Sequence, residues 1–180
     1  MHTGRIKITQ KGNETIIEIL PLRDAFKTRL LFSWLLVWTL CGILVFSQFF
    51  SNLSREEKLL MAVWMAFWAY FEYKISKVYV WRKNGSEKIS ITAESLTYSE
   101  IISQKTSSKI YLLDNLSEPE RYEFGKNNFS DSFQNSYWVK GNETLFITHF
   151  GTKTGMGFQL NKEDANQVYQ EINRKLKKRK

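Results

Sequence analysis

The run from Leu30 to Phe50 contains no charged side chain. A helix over it would cross the roughly 30 Å hydrocarbon core of a bilayer. The mean hydropathy of the whole chain, −0.36, conceals this, because the apolar residues are gathered in one stretch that continues past a short polar break to about Trp81. A purely soluble protein is therefore not expected. The run is longer than the apolar core of a signal peptide, about 7–15 residues, and no small-residue cleavage site follows it. Met1–Asn13 is polar, so the run reads as a retained anchor. The one cysteine, Cys41, has no partner for a disulfide, and with only two histidines there is little from which to build a zinc site or a Cys/His catalytic pair.

Ser54-Arg55-Glu56-Glu57 has the spacing of a capping box and predicts the start of a second helix. Its uncharged stretch, Leu59–Phe71, is short for a span. Apolar residues continue beyond Glu72 to Val80, and Lys74 and Lys77 sit where long side chains can reach the headgroups. The expectation is a transmembrane hairpin over residues 22–81, with spans at about 30–50 and 59–80. Arg23, Lys27 and Arg29 precede the first span, and Lys74, Lys77, Arg82 and Lys83 end or follow the second. By the positive-inside rule both termini are expected in the cytoplasm of a multi-pass protein.

Either side of the hairpin the period changes from helix to strand. Arg5–Thr9 and Thr15–Leu20, joined through Gly12-Asn13, predict a β-hairpin within residues 1–21. Such a hairpin is marginal alone and should dock on something. Beyond residue 82 seven strands are expected: Glu87–Thr92, Leu96–Ser103, Lys109–Leu113, Arg121–Phe124, Tyr137–Lys140, Thr144–Phe150 and Met156–Leu160, with Gly125–Ser136 as a loop. A helix follows, capped by Asn161, with Ala165, Val168, Tyr169, Ile172 and Leu176 on one face. Bending an antiparallel sheet into a barrel under such a helix would protect its edges. The fold class so read is α+β: a two-helix transmembrane hairpin plus a seven-stranded, pleckstrin-homology-like (PH-like) barrel with a C-terminal helical cap, occupying residues 82–180.

This segment order, with Trp81–Ile91 (WRKNGSEKISI) leaving the second span and Thr148–Ile172 (THFGTKTGMGFQLNKEDANQVYQEI) as last hairpin, strand and helix, resembles bacterial membrane proteins in which a transmembrane hairpin precedes a PH-like domain, the YcxB-like type. The resemblance covers about residues 22–176 and implies a location in the bacterial inner membrane. It does not bring phosphoinositide recognition with it. The basic motif used for that purpose is missing, since Lys88 is the only basic residue in 87–103, among Glu87, Glu94 and Glu100.

The net charge of +8 divides into +3 for residues 1–29, +1 for 30–81, −2 for 82–173, and six basic residues with no acid in Arg174–Lys180. A basic block confined to a terminus argues against nucleic acid and for a membrane surface. Arg174, Lys175, Lys177, Lys178, Arg179 and Lys180 are thus the expected contacts to anionic lipids. Glu72, ionisable within an apolar helix, is the candidate intramembrane group, with Arg29 as a possible partner. Trp34 with Trp38, and Trp64 with Trp68, give each helix an aromatic ridge for packing or for a partner. Gly151–Gly157 lacks the spacing of a phosphate loop and reads as a hairpin turn. No cofactor or metal is implied, and no catalytic residue. The expected function is non-enzymatic: a membrane protein presenting an interaction module to a lipid bilayer and to a protein partner whose identity, like the oligomeric state, the sequence does not name. One alternative is an accessory subunit of a transporter or envelope-assembly complex that binds through its helices. Another is a membrane enzyme, which would need Glu72 or His149.

Overall fold

The computed structural model describes residues 4–121 and 136–177. Two units result, Arg23–Lys83 and Met1–Leu22 together with Asn84–Lys180.

The second of these is a sheet-and-helix unit. Strands β1 (Ile6–Lys11), β2 (Glu14–Ile19), β3 (Gly85–Ile91), β4 (Ser95–Ile102) and β5 (Lys105–Leu112) form one antiparallel sheet in chain order. Strands β6 (Glu120–Arg121), β7 (Glu143–His149) and β8 (Thr152–Phe158) form another, also in order. The N-terminal hairpin docks by strand addition, with β2 pairing β3 from Thr15↔Ile91 to Ile19↔Glu87. Alternation explains why. Ile17, Ile19, Ile89, Ile91 and Leu96 point to one face and are fully buried, with polar residues between them. From the smaller sheet, Leu145, Ile147 and Met156 enter the same core, and Ala165, Val168 and Ile172 close it from helix α3 (Lys162–Lys177). Tyr169 and Leu176 pack at its margin.

The helical unit contains α1 (Ala25–Ser47), a short 3-10 turn over Gln48–Phe50, and α2 (Arg55–Asn84). Asp24 caps α1, accepting from the Lys27 N–H at 3.0 Å. The capping box forms as spaced, with the Glu57 carboxylate accepting from the Ser54 N–H at 2.8 Å and Ser54 Oγ accepting from the Glu57 N–H at 3.3 Å.

Two expectations are corrected here. The β region is not a seven-stranded barrel capped by a helix. Its strands lie in a sheet of five and a sheet of three, and among the described residues the two do not close into one ring. Two of the five strands come from before the helices, Tyr137–Lys140 forms a turn rather than a strand, and β6 has only two residues. Pro119, which has no N–H to donate, stands directly before β6. The rest of the strand expected at Arg121–Phe124, and all but the last residue of the Gly125–Ser136 loop, lie outside the described residues.

The two-helix transmembrane hairpin, and with it the multi-pass inner-membrane location with both termini cytoplasmic, is also overturned. Only one described helix, Ala25–Phe50, is long and apolar enough to cross a membrane. In α2 the apolar stretch is cut by Glu72, Lys74 and Lys77, and charge gathers at both ends of the helix. Those three charges outweigh the apolar residues that continue to Val80.

Candidate membrane-facing surface and buried charge cluster

Helix α1 is apolar on every side, and its best membrane-crossing window is only 17% buried. Leu31, Leu35 and Gly42 are its buried residues. Phe26, Val37, Ile43, Leu44 and Phe46 are exposed. Exposed apolar surface on this scale marks a site of interaction with lipid or protein.

Part of α1 packs on α2 through close contacts. Gly42 lies against the Trp68 indole, which fills the place that a Cβ there would take. The Trp68 indole N–H donates to the Trp38 carbonyl at 3.0 Å, and Trp38 stacks on Trp34 and tilts against Trp64. The expected aromatic ridges therefore meet each other within the hairpin. Glu72 faces α1 as well, where its Oε1 accepts from Thr39 Oγ1 at 2.9 Å. Arg29 does not reach it: among the described residues no ion pair joins the two. Arg29 instead lines a cavity of about 550 Å³ with Arg23, Arg82 and Lys83.

Of the expected lipid-contacting tail, Arg174, Lys175 and Lys177 form the last turn of α3, where positive charge complements the helix dipole. Arg174 also pairs with Glu171 at 2.6 Å. Lys178, Arg179 and Lys180 lie outside the described residues. His149 ends β7 with its ring against Tyr111 and Phe150, at centroid distances of 5.4 and 4.6 Å. The Gly151–Gly157 segment is a hairpin turn only at its start. Phe150 and Gly151 have φ of 47° and 76°, as a two-residue type I′ turn needs, and the rest is β8.

A buried charge cluster was not anticipated. Glu87, on β3, is 1% exposed, and its oxygens accept from the Gly157 N–H at 2.7 Å, the Phe158 N–H at 2.8 Å and the Tyr98 hydroxyl at 3.0 Å. Arg5 is 9% exposed and donates to the carbonyls of Leu20 at 3.0 Å, Phe158 at 3.0 Å and Gln159 at 2.6 Å. At the end of β8 and just beyond it the backbone leaves regular pairing, with φ of 73° at Gly157 and 50° at Gln159. Its polar groups would be orphaned in the interior. Glu87 accepts from its N–H groups and Arg5 donates to its carbonyls, so the two charges hold the crossing from both sides. Burial pushes the Glu87 carboxyl above its ordinary range, opposed by its hydrogen bonds and by Lys140. Burial also lowers the Arg5 pKa, against the pull of Asp164 and Glu87, and pushes the Tyr98 hydroxyl upward, reinforced by the neighbouring Glu87. No sequence motif marks this cluster, because residues 5, 87 and 157–159 meet only through the fold. A glutamate at an inward-facing position of an alternating strand was the one available signal.

Comparison of the chain with protein-family models, curated proteins and solved structures finds no match.

Proposed function

We propose that this is a non-enzymatic, membrane-associated protein, held at a bilayer by the apolar surface of Ala25–Phe50 and displaying its sheet-and-helix unit to a protein or lipid partner. One observation carries the reading: large apolar side chains on α1 such as Val37, Ile43 and Leu44 remain exposed after the helix has packed on α2. Each leaves in water more than half of a surface whose full burial is worth roughly 1.5–3 kcal/mol.

The strand order argues that this helix is retained rather than removed as a signal. Cleavage after it would take β1 and β2 out of the five-stranded sheet, and with them the fully buried Ile17 and Ile19. A binding role suits the buried charges. Arg5 is committed to backbone carbonyls, and Glu87 to two backbone N–H groups and the Tyr98 hydroxyl, so neither is offered to a substrate.

Flotation of the full chain with phosphatidylcholine vesicles tests the reading. Wild type should float and resist alkaline carbonate extraction, and a Val37→Ser, Ile43→Ser, Leu44→Ser variant should not float. Wild-type protein that stays at the bottom of the gradient would end the membrane reading.

A further inference from the structure

The cavity of about 550 Å³ in the helical unit is lined from both helices and from the residues just before α1. Four cations stand around it, Arg23, Arg29, Arg82 and Lys83, with one carboxylate, Asp24. That carboxylate is engaged. It caps α1 through the Lys27 N–H and lies 3.5 Å from Lys27 Nζ, and those interactions hold it below the usual carboxylate range. Among the described residues no carboxylate pairs with Arg23, Arg29 or Lys83, and all three are exposed. Ala25, Thr28 and two aromatic rings complete the wall: Phe32 and Tyr79 pack with centroids 5.7 Å apart, and Lys83 Nζ lies 5.8 Å over the Tyr79 ring.

Position along the chain narrows the ligand. Arg29 is the last charge before the uncharged run, and Leu30, Phe32 and Leu36 follow it as exposed apolar side chains on α1. A free phosphate would find the charge but leave the aromatic wall and the apolar helix bare. An anionic phospholipid satisfies both, with its phosphodiester among the cations and its chains along α1. Arginine suits the headgroup because its planar fork can give two parallel hydrogen bonds to phosphate oxygens.

We propose that this cavity binds the phosphodiester headgroup of an anionic phospholipid, with Arg23, Arg29 and Lys83 as its charge-bearing ligands. The proposal rests on the membrane reading above and adds a headgroup preference to it. A basic residue at an anionic leaflet is worth roughly a fivefold change in affinity, or about 1 kcal/mol. Loss of three in one cavity should therefore weaken the preference at least tenfold.

The test is flotation of the full chain with phosphatidylcholine vesicles and with the same vesicles doped with phosphatidylglycerol. It compares wild type, an R23Q/R29Q/K83Q variant, and a K7Q/K105Q/K109Q variant that removes equal charge from exposed strand positions. The expected result is a wild-type preference for phosphatidylglycerol, lost at least tenfold in the cavity variant and kept in the strand variant, with phosphatidylcholine binding unchanged in all three. Equal losses in both variants would mean diffuse attraction and overturn the site. Wild type floating equally with both lipids would overturn the site while leaving the membrane reading in place, whereas failure to float with either would end that reading too. A melting-temperature arm separates lipid from free anion. Short-chain phosphatidylglycerol in neutral micelles should stabilise wild type, and inorganic phosphate doing so equally would overturn the lipid assignment.

Discussion

The two units use the same aliphatic and aromatic residues to opposite ends. In the sheet-and-helix unit, Ile17, Ile89, Leu145 and Ile172 alternate with polar residues at strand or helix spacing and reach essentially zero exposure. In α1, Val37, Ile43 and Leu44 stand in an uncharged run with no single apolar face and remain more than half exposed. Apolar content is therefore not what distinguishes them. The periodic pattern gives an element one face to bury against its own chain, whereas apolar character all round leaves surface for which another medium is needed. The first unit should accordingly be stabilised by its own interior, and the second by what surrounds it.

The largest effects should come from the closed interior. Ile172→Ala, at a fully buried site, should cost about 2–5 kcal/mol. Denaturant unfolding of the full chain in detergent, followed by β-sheet circular dichroism, measures it. A cost under about 0.5 kcal/mol would mean that α3 does not close the core, and the contrast between the units would fail.

Glu87→Gln should follow at roughly 2–4 kcal/mol, because an amide turns donors toward donors and leaves buried N–H groups unsatisfied. The same residue gives a pH signature. Its folded pKa is raised from the ordinary 4.5, so between those values the folded state binds more protons than the unfolded one. Its contribution to stability thus falls as pH rises through that window and recovers as pH falls back. Unfolding midpoints measured across the acid range should show this slope in wild type and a flatter one in Glu87→Gln. A contribution that instead rises with pH would reverse the assigned direction.

How far these features are legible in sequence depends on whether they are local. The alternation of Ile17, Ile19, Ile89 and Ile91, the spacing of Ala165, Val168 and Ile172, and the Ser54–Glu57 box each lie within a few residues and are readable from them. The N-terminal hairpin is legible as a hairpin, but its pairing with β3 spans the whole helical unit and has no local mark. Strand number fails for the same reason: Tyr137–Lys140 has strand-like composition but forms a turn, and whether a segment pairs depends on what lies beside it. The Arg5–Glu87 crossing is the extreme case, with partners more than 150 positions apart, as Arg5 Nη1 and the Gln159 carbonyl show. In α2 two local signals conflict: length and average apolarity favour a span, whereas Glu72, Lys74 and Lys77 do not.

Gly42→Ala tests the helical unit from inside. The added Cβ would meet the Trp68 ring, so α1 and α2 must separate or the indole must leave its bond to the Trp38 carbonyl. Overpacking of this kind costs about 1–3 kcal/mol. The helical signal should melt earlier in detergent and the Trp68 indole N–H resonance should shift, while the β-sheet transition stays in place. Loss of both transitions together would mean that the units are not separable in stability.

The smallest effect on folding is expected from Leu44→Ala, and that is its value. Chemically it resembles Ile172→Ala, a large aliphatic side chain reduced to a methyl. Leu44, however, is 66% exposed, so truncation opens no cavity and removes few contacts. Its effect on the unfolding free energy should stay within about 0.5 kcal/mol. What Leu44 loses should appear elsewhere. If lipid covers it, roughly 0.8 kcal/mol for each CH2 group removed is lost from membrane partitioning, and vesicle affinity should fall more than tenfold with no change in the β-sheet transition. Ile172→Ala should do the reverse, lowering that transition while leaving vesicle affinity near wild type. Equal responses from the two substitutions in both assays would show that α1 is buried by its own chain in solution, and the distinction between a self-contained unit and an environment-dependent one would be lost.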